Sequence, residues 1–472
     1  MLFNSIEFLF IFLPIVFTVY FLLNRLKLVT LASSWLVMSS LYFYSYWKIE
    51  YLPIILTSML FNYAVGRTLS SDSNLKINRR LLFIFAIVMN VGMLSYYKYM
   101  DFIIYNINMV LKNDFNYMHI ALPLAISFFT FQQIAFLADS YEKKTKEYDF
   151  LTYAMFVTFF PQLIAGPIVH HSETMPQFMN LRNKFINHKN ISIGLFLLGI
   201  GLFKKIMIAD FLSPFVAQTF DVIPTLTFFE SWVASISYAF QLYFDFSGYC
   251  DMAIGIAYLF NIVLPQNFNS PYKANSIQDF WRRWHMTLSR FLRDYIYIPL
   301  GGNRKGEFKT YRNLFITFFV GGLWHGANWT FILWGAMHGA ATCVHKMWSK
   351  LNIKLNNFVS VLITFLFVDL AFTVFRAPTI EKGISIYKSM LGLNGFAPIE
   401  INKLRFAFEN GSVKISILLL LSTFILVFFS KNSMELARKV KPNAIYFTAT
   451  LIMLVVSILS INKVSAFLYF QF

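Results

Sequence analysis

Residues 315–339 read FITFFVGGLWHGANWTFILWGAMHG. The run is apolar and rich in glycine, and His325 and His338 are its only ionisable side chains. About 20 apolar residues suffice to cross a hydrocarbon core of roughly 30 Å, so the stretch belongs in or beside lipid. Just upstream, residues 276–306 read SIQDFWRRWHMTLSRFLRDYIYIPLGGNRKG, dense in Arg and Trp and carrying His285. A polar, aromatic, histidine-bearing module set among fatty helices is where chemistry is to be sought.

The rest of the chain supplies those helices. Of 472 residues, 57% are hydrophobic, 19% aromatic and 13% charged, against about 45–50% apolar and about 25% charged in soluble domains. Apolar runs recur at 5–23, 28–47, 50–68, 80–98, 119–138, 150–169, 190–209, 228–262, 313–345, 356–374, 413–430 and 444–470. They predict an all-α polytopic membrane protein with roughly ten to thirteen membrane segments. The run at 228–262 is long enough for two spans, or for one plus a re-entrant piece. A shorter run at 100–112 reads as re-entrant or interfacial. No polar stretch is long enough for a soluble domain, so residues 1–472 read as one integral-membrane domain. Within it, 1–115 are N-terminal helices, 116–346 a catalytic core and 347–472 C-terminal helices.

The net charge of +17 could point to nucleic acid. The positive-inside bias and anionic lipid headgroups account for it instead, so membrane lipid is expected as a partner and nucleic acid is not. Cys250 and Cys343 sit far apart in apolar sequence, without disulfide or metal-ligand spacing, and no metal site is expected. Residues 1–23 lack the basic start and small-residue cleavage site of a signal peptide. Arg25 and Lys27 place the far end of the first helix in the cytoplasm.

Basic clusters mark the breaks: Lys76, Arg79 and Arg80; Lys143, Lys144 and Lys146; Arg182, Lys184 and Lys189. Cytoplasmic or interfacial loops explain all three. Residues 377–412 form a longer mixed connection that includes Pro398. The acceptor pattern Asn410-Gly411-Ser412 in it is too short to carry weight. Residues 160–167, FPQLIAGP, place two prolines and a glycine inside an apolar run. Backbone groups freed there need partners from protein or cavity water, so a structural kink and a cavity wall are both open. No internal repeat is visible, which disfavours an inverted-repeat transporter.

Residues 241–251, QLYFDFSGYCD, set Asp245 and Asp251 in apolar surroundings. An ionised carboxylate near the bilayer centre costs at least about 2.5–3.5 kcal/mol, so each needs a cation, a proton or water. Asp245 and Tyr249 share a helical face, and a hydrogen-bonded polar knot is the leading reading. Ser276 and Asp279 match a capping pattern, which starts a helix near Ile277 that ends by Pro299. Asp279–Arg283 and Arg290–Asp294 are spaced as supporting i,i+4 pairs. Arg282, Arg283, Arg290, Arg293, Arg304 and Lys305 form a cationic zone. It fits an amphipathic helix on the inner leaflet or a dock for a phosphate-bearing donor. His285 fits either a functional or a structural role. His325 is flanked by Gly321, Gly322 and Gly326, in surroundings that favour neutral imidazole. His338 lies 13 residues on, about 220° round a continuous helix, and so reads as structural or supporting.

Five phrases carry a resemblance: LFNSIEFLFIFLPIV (2–16), FFPQLIAGPI (159–168), QLYFDFSGYCDMAIGIA (241–257), LPQNFNSPYKANSIQDFWRRWHMTLSRFLRDYIYIPLGGNR (264–304) and GGLWHGANWTFILWGAMHG (321–339). They resemble the membrane-bound O-acyltransferases (MBOAT), in particular the bacterial alginate and peptidoglycan O-acetylation membrane subunits. After about residue 350 the likeness is one of general character.

The resemblance implies a ring of helices and re-entrant segments around a transmembrane funnel in the bacterial inner membrane. It implies acetyl-CoA as a cytoplasmic donor substrate, with no permanently bound cofactor. It further implies a separate periplasmic SGNH-type protein that passes acetyl to polysaccharide hydroxyls. The family histidine falls on His325, as base, and its second polar position on His285, orienting the donor or stabilising the oxyanion. Arg282, Arg283, Arg290 and Arg304 would hold donor phosphates. Asp245, Tyr249, Asp251, Trp324, Asn328 and His338 would give polar support. A covalent acetyl-histidine relay and direct transfer are both open. The composition, rich in Phe, Ile, Lys and Asn, tilts the acceptor toward peptidoglycan; alginate-like exopolysaccharide, or a non-catalytic transporter or scaffold role, are the alternatives.

Overall fold

The computed structural model describes residues 1–71, 78–145, 148–397, 413–461, 467 and 468. Lys76, Lys146, Pro398 and Asn410-Gly411-Ser412 lie outside them. Every regular element among the described residues is helical. The chain forms two compact units. The first comprises Met1–Leu198, Met252–Pro265 and Val440–Thr450, and the second Gly199–Asp251, Gln266–Lys439 and Leu451–Phe472.

The chain opens with α1 (Leu13–Arg25), α2 (Val29–Ser45), α3 (Leu52–Ser70), α4 (Arg79–Leu94) and α5 (Met100–Leu111). Pro53 occupies a first-turn position of α3, where the missing N–H costs little, and Pro14 comes just after a π-turn, Phe8–Phe12, that extends α1 toward the N-terminus. Asn78 caps α4 through Arg80 N and Leu81 N. α4 passes through a π-turn into α5, so Arg79–Leu111 forms one span of 33 residues. The run at 100–112, expected to be re-entrant or interfacial, is therefore the second half of that helix.

Next come α6 (Ile126–Tyr141), α7 (Phe150–Thr158), α8 (Phe160–Leu163) and α9 (His171–Met179). Asp149 caps α7 through Thr152 N. The FPQLIAGP break falls between α7 and α8, at Phe159, and is buried throughout. The carbonyl of Phe156 accepts from the amides of Gln132 and Gln162, both at 2.7 Å. Phe160 N donates to Ser40 Oγ at 3.2 Å. Side chains thus replace the lost ladder bonds, and the break is a filled kink. Around it Phe8, Phe12, Phe43 and Phe160 pack edge-on or tilted, with centroids 5.3–6.2 Å apart.

α10 (His188–Phe203) leads through a π-stretch into α11 (Asp210–Ala217), followed by α12 (Phe228–Leu259). α12 is one unbroken helix of 32 residues, not two spans or a span plus a re-entrant piece. α13 (Ile277–Trp281) and α14 (Met286–Leu292) are two short pieces, where the sequence predicts one helix. The break is at His285, whose φ of 42° is left-handed.

α15 (Glu307–His325) and α16 (Trp329–Trp348) then form a tight hairpin. α17 (Asn357–Arg376), α18 (Ile380–Met390), α19 (Val413–Phe429), α20 (Ser433–Ala437) and α21 (Ala444–Leu459) complete the chain. Among the described residues, five helical stretches are long and apolar enough to cross a membrane: Phe8–Arg25, Ile49–Ser70, Arg79–Leu111, His188–Val222 and Asn357–Arg376. Ile417–Phe429 and Ala444–Leu459 are shorter apolar helices.

In lipid, helices associate by close packing rather than by the hydrophobic effect, so small residues mark the contacts. A Cβ at Gly335 would lie 2.5 Å from Phe318 O and 2.9 Å from Gly322 Cα. One at Gly322 would lie 2.4 Å from Phe331 O. These neighbours are backbone and cannot swing away. Gly335→Ala should therefore push the hairpin apart and cost roughly 1–3 kcal/mol. It should lower the thermal midpoint in detergent, whereas Ala340→Leu, on an exposed face of the same helix, leaves it unchanged. Equal midpoints for both would show that the crossing is looser than described.

Candidate active site

His325 is the last residue of α15, and Gly326 leaves the helix in an extended conformation. Asn328 caps α16 by accepting from Thr330 N, and its amide donates to Pro378 O. The helix is thus not continuous between His325 and His338, which removes the premise that places those two side chains on opposite faces. His325 is 6% exposed. Its ring packs against Trp324, Trp334 and Phe375, with centroids 5.0, 5.0 and 5.3 Å away. At this end of α15 the helix dipole is negative and favours a cation, so an imidazolium formed on His325 is stabilised where it forms.

His285 is fully buried. Its Nδ1 lies 3.2 Å from Asn267 Oδ1, which also accepts from Thr287 N and Thr287 Oγ1. Because that oxygen receives a backbone N–H, it is the acceptor end of the amide, and His285 must donate from Nδ1. In this tautomer Nε2 carries the lone pair. Burial pushes the imidazole down to about 3, so it is neutral at physiological pH. Met286 N donates to Asn267 O, and Asn267 Nδ2 donates to Cys250 Sγ at 3.3 Å. Asn267 therefore holds the left-handed turn that aims His285. Phe246 stacks edge-on against that ring at 4.8 Å.

Trp324 links the two histidines, 6.2 Å from the His285 ring and 5.0 Å from that of His325. Trp334 likewise lies against both His325 and His338, at 5.0 and 4.7 Å. Trp281 Nε1 donates to His338 Nδ1 at 3.2 Å, so neutral His338 carries its proton on Nε2. That buried atom and Trp334 Nε1 have no hydrogen-bond partner among the described residues. The three histidines and the tryptophans between them form one buried layer of the second unit.

Asp245 and Asp251 have the partners that lipid demands. Lys205 Nζ lies 2.6 Å from Asp245 and 2.8 Å from Asp210. Lys204 Nζ lies 2.6 Å from Asp251, which also accepts from Ser433 Oγ at 2.6 Å. Asp245 accepts from Leu468 N as well. Tyr249 packs its ring on Phe467 at 4.6 Å. The acids form a knot of ion pairs, and sequence reading missed its lysines. The available signal was Lys204-Lys205 inside the apolar run GLFKKIMIA.

Of the cationic zone, Arg282 and Arg304 are exposed and Arg290 is half-buried. Arg283 donates to Asp279 and to Asn269 O. Asp294 is held by Arg293 at 2.7 Å. Asn267 was also missed: nothing in its spacing marks it, and only the turn geometry does.

The family model for membrane-bound O-acyltransferases matches residues 15–372. Over its whole length the chain is 45% identical to a peptidoglycan O-acetyltransferase of Helicobacter pylori, covering 98% of that protein. It is 35% identical to a probable alginate O-acetylase of Pseudomonas aeruginosa, over 85% of this chain and 77% of that protein. A teichoic acid D-alanyltransferase of Bacillus subtilis is 27% identical over 53% of this chain and 68% of its own length.

Removing one partner of a buried ion pair costs roughly 3–5 kcal/mol, whereas replacing both with apolar groups is nearly neutral. Lys204→Met should accordingly lower the thermal midpoint strongly, and Lys204→Met combined with Asp251→Leu should recover most of the loss. A double variant as unstable as the sum of its single changes would mean that the two residues are not coupled.

Proposed function

The chain belongs to the membrane-bound O-acyltransferase family, and from that premise we propose that it takes acetyl from cytoplasmic acetyl-CoA and delivers it across the bacterial inner membrane for O-acetylation of peptidoglycan. The observation that carries this reading is the 45% identity to a peptidoglycan O-acetyltransferase along the entire chain. Similarity to the alginate enzyme is lower and covers less of the chain. A separate periplasmic SGNH-type protein receives the acetyl group and passes it to sugar hydroxyls.

In the proposed reaction His325 removes the proton from the acceptor hydroxyl, and the oxygen attacks the thioester carbonyl. A positioned base of this kind contributes roughly 10²–10⁴-fold. The C–S bond then breaks, and the proton held on His325 goes to the departing coenzyme A thiolate. His285, neutral and donating through Nδ1, presents a lone pair at Nε2. It therefore acts on the donor side by accepting from an N–H of the pantetheine arm. A neutral imidazole in this tautomer cannot donate to an oxyanion from Nε2. The N–H groups of His338 Nε2 and Trp334 Nε1 are better suited to that task. Each is a buried donor lacking an acceptor among the described residues, a state that costs about 1–3 kcal/mol until a ligand oxygen supplies one. Arg282 and Arg304, both exposed, hold donor phosphates. The pairs Lys204–Asp251 and Lys205–Asp245 hold the part of α12 whose Phe246 packs on the His285 ring.

Purified protein in detergent, given acetyl-labelled acetyl-CoA and the periplasmic partner, should turn over thioester. His325→Ala should reduce that turnover at least about 10²-fold while leaving the thermal midpoint near wild type. Turnover indifferent to His325 would move the base elsewhere. Arg282→Glu should raise the KM for acetyl-CoA several-fold with kcat little changed; an unchanged KM would leave this residue a membrane-surface contact only.

A further inference from the structure

The first unit holds a second cluster of chemistry-bearing side chains that the acyl-transfer reading does not use. Asp139, near the end of α6, is buried, as is His171, the first residue of α9. His170 is the N-cap of that helix. Nε2 of His170 lies 2.5 Å, and Nε2 of His171 3.2 Å, from the same carboxylate oxygen, Asp139 Oδ2. One ligand-type atom from each of the three residues lies within 4.8 Å of the other two. The two imidazole rings are 4.5 Å apart. Two imidazole nitrogens and a carboxylate oxygen thus converge on one point.

We propose that Asp139, His170 and His171 form a binding site for one divalent transition-metal ion of the zinc type. Two imidazoles and one carboxylate are a donor set suited to zinc and unlike the all-oxygen sets of magnesium and calcium. Metal–ligand bonds of about 2.0–2.2 Å in a tetrahedral arrangement put the ligand atoms roughly 3.3 Å apart. The His171–Asp139 separation already fits. His170 has to withdraw by less than about 1 Å, and its side chain, 27% exposed, has room to do so. Its Nδ1 accepts the cap bond from Ser172 N at 3.4 Å and lies 2.7 Å from Ser172 Oγ; with Nε2 on the metal, Nδ1 carries the proton, gives up the cap bond and donates to that hydroxyl, the kind of outer hydrogen bond that fixes a ligating imidazole.

Phe136 and Tyr148 pack on the His171 ring at 6.1 and 6.3 Å, and both line a cavity of about 420 Å³ together with Tyr63, Arg67 and Ser70. Three protein ligands joining the end of α6 to the start of α9 would fasten the chain that follows the kink at Phe159. The ion's role is thus to hold this part of the first unit, and the inference stands independently of the acyl-transfer reading.

The test uses full-length protein purified without a polyhistidine tag and titrated with Co²⁺, whose visible absorption reports coordination, then with Zn²⁺ as competitor. Wild type should bind one Co²⁺ per chain, release it to Zn²⁺, and gain thermal stability with Zn²⁺ by mass action. Asp139→Asn, His170→Ala and the double variant His170→Ala/His171→Ala should each weaken binding at least tenfold and lose the Zn²⁺-dependent stabilisation. Binding in wild type no tighter than in His170→Ala, the mildest of these changes, would overturn the proposal and leave a hydrogen-bonded knot. So would one-to-one binding that is indifferent to Asp139→Asn.

Discussion

Inside a bilayer no water waits to satisfy a broken hydrogen bond or a lone charge, and every polar group placed there must find its partner within the protein. Much of this structure follows from that constraint. The carbonyl of Phe156, left over where Pro161 and its neighbours break the helix, is taken up by two glutamine amides. Asp245 and Asp251 are matched by Lys205 and Lys204. The left-handed turn at His285 is held by three bonds to one oxygen of Asn267. Each of these departures from plain apolar helix comes with its own satisfying side chain.

The same constraint gives meaning to the groups that are not satisfied. His338 Nε2 and Trp334 Nε1 are buried donors with no acceptor among the described residues, and they lie in the aromatic layer that also holds His325. A donor left bare in a packed interior is costly, and in the proposed reaction a substrate oxygen would offset that cost. His285 differs because its proton is already committed to Asn267, which makes it an acceptor toward whatever binds beside it. Tautomers fixed by neighbours, rather than residue type alone, separate the roles of these histidines.

Much of this was legible in the chain. Apolar runs of membrane length fixed the all-helical class, because length and hydropathy are local properties. Several spans, among them Asn357–Arg376, fall within a residue or two of where hydropathy alone puts them. The two intramembrane acids announced that each needs a partner, a proton or water, but not that the partners are Lys204 and Lys205. The α13–α14 break was not legible: the capping pattern at Ser276 and the i,i+4 charges speak for one helix, and only Asn267, far from them in helical terms, imposes the turn. The hairpin at Gly326–Asn328 had a signal in its glycines, yet a face argument built on a continuous helix separated His325 from His338.

What the sequence determined by itself was the class of molecule, the family it resembles and the residue types able to do the chemistry, since each is written in composition, run length and local phrases. The tertiary structure decided which charges pair, which tautomers His285 and His338 hold and which side chains converge. Lys204 and Asp251, like Asp139 and His170, are too far apart in the chain for any local pattern to join them. How closely helices approach decides such meetings: a Cβ at Gly248 would lie 2.9 Å from Gly201 O and 3.2 Å from Lys204 Cβ, a contact that no reading of one helix at a time can supply.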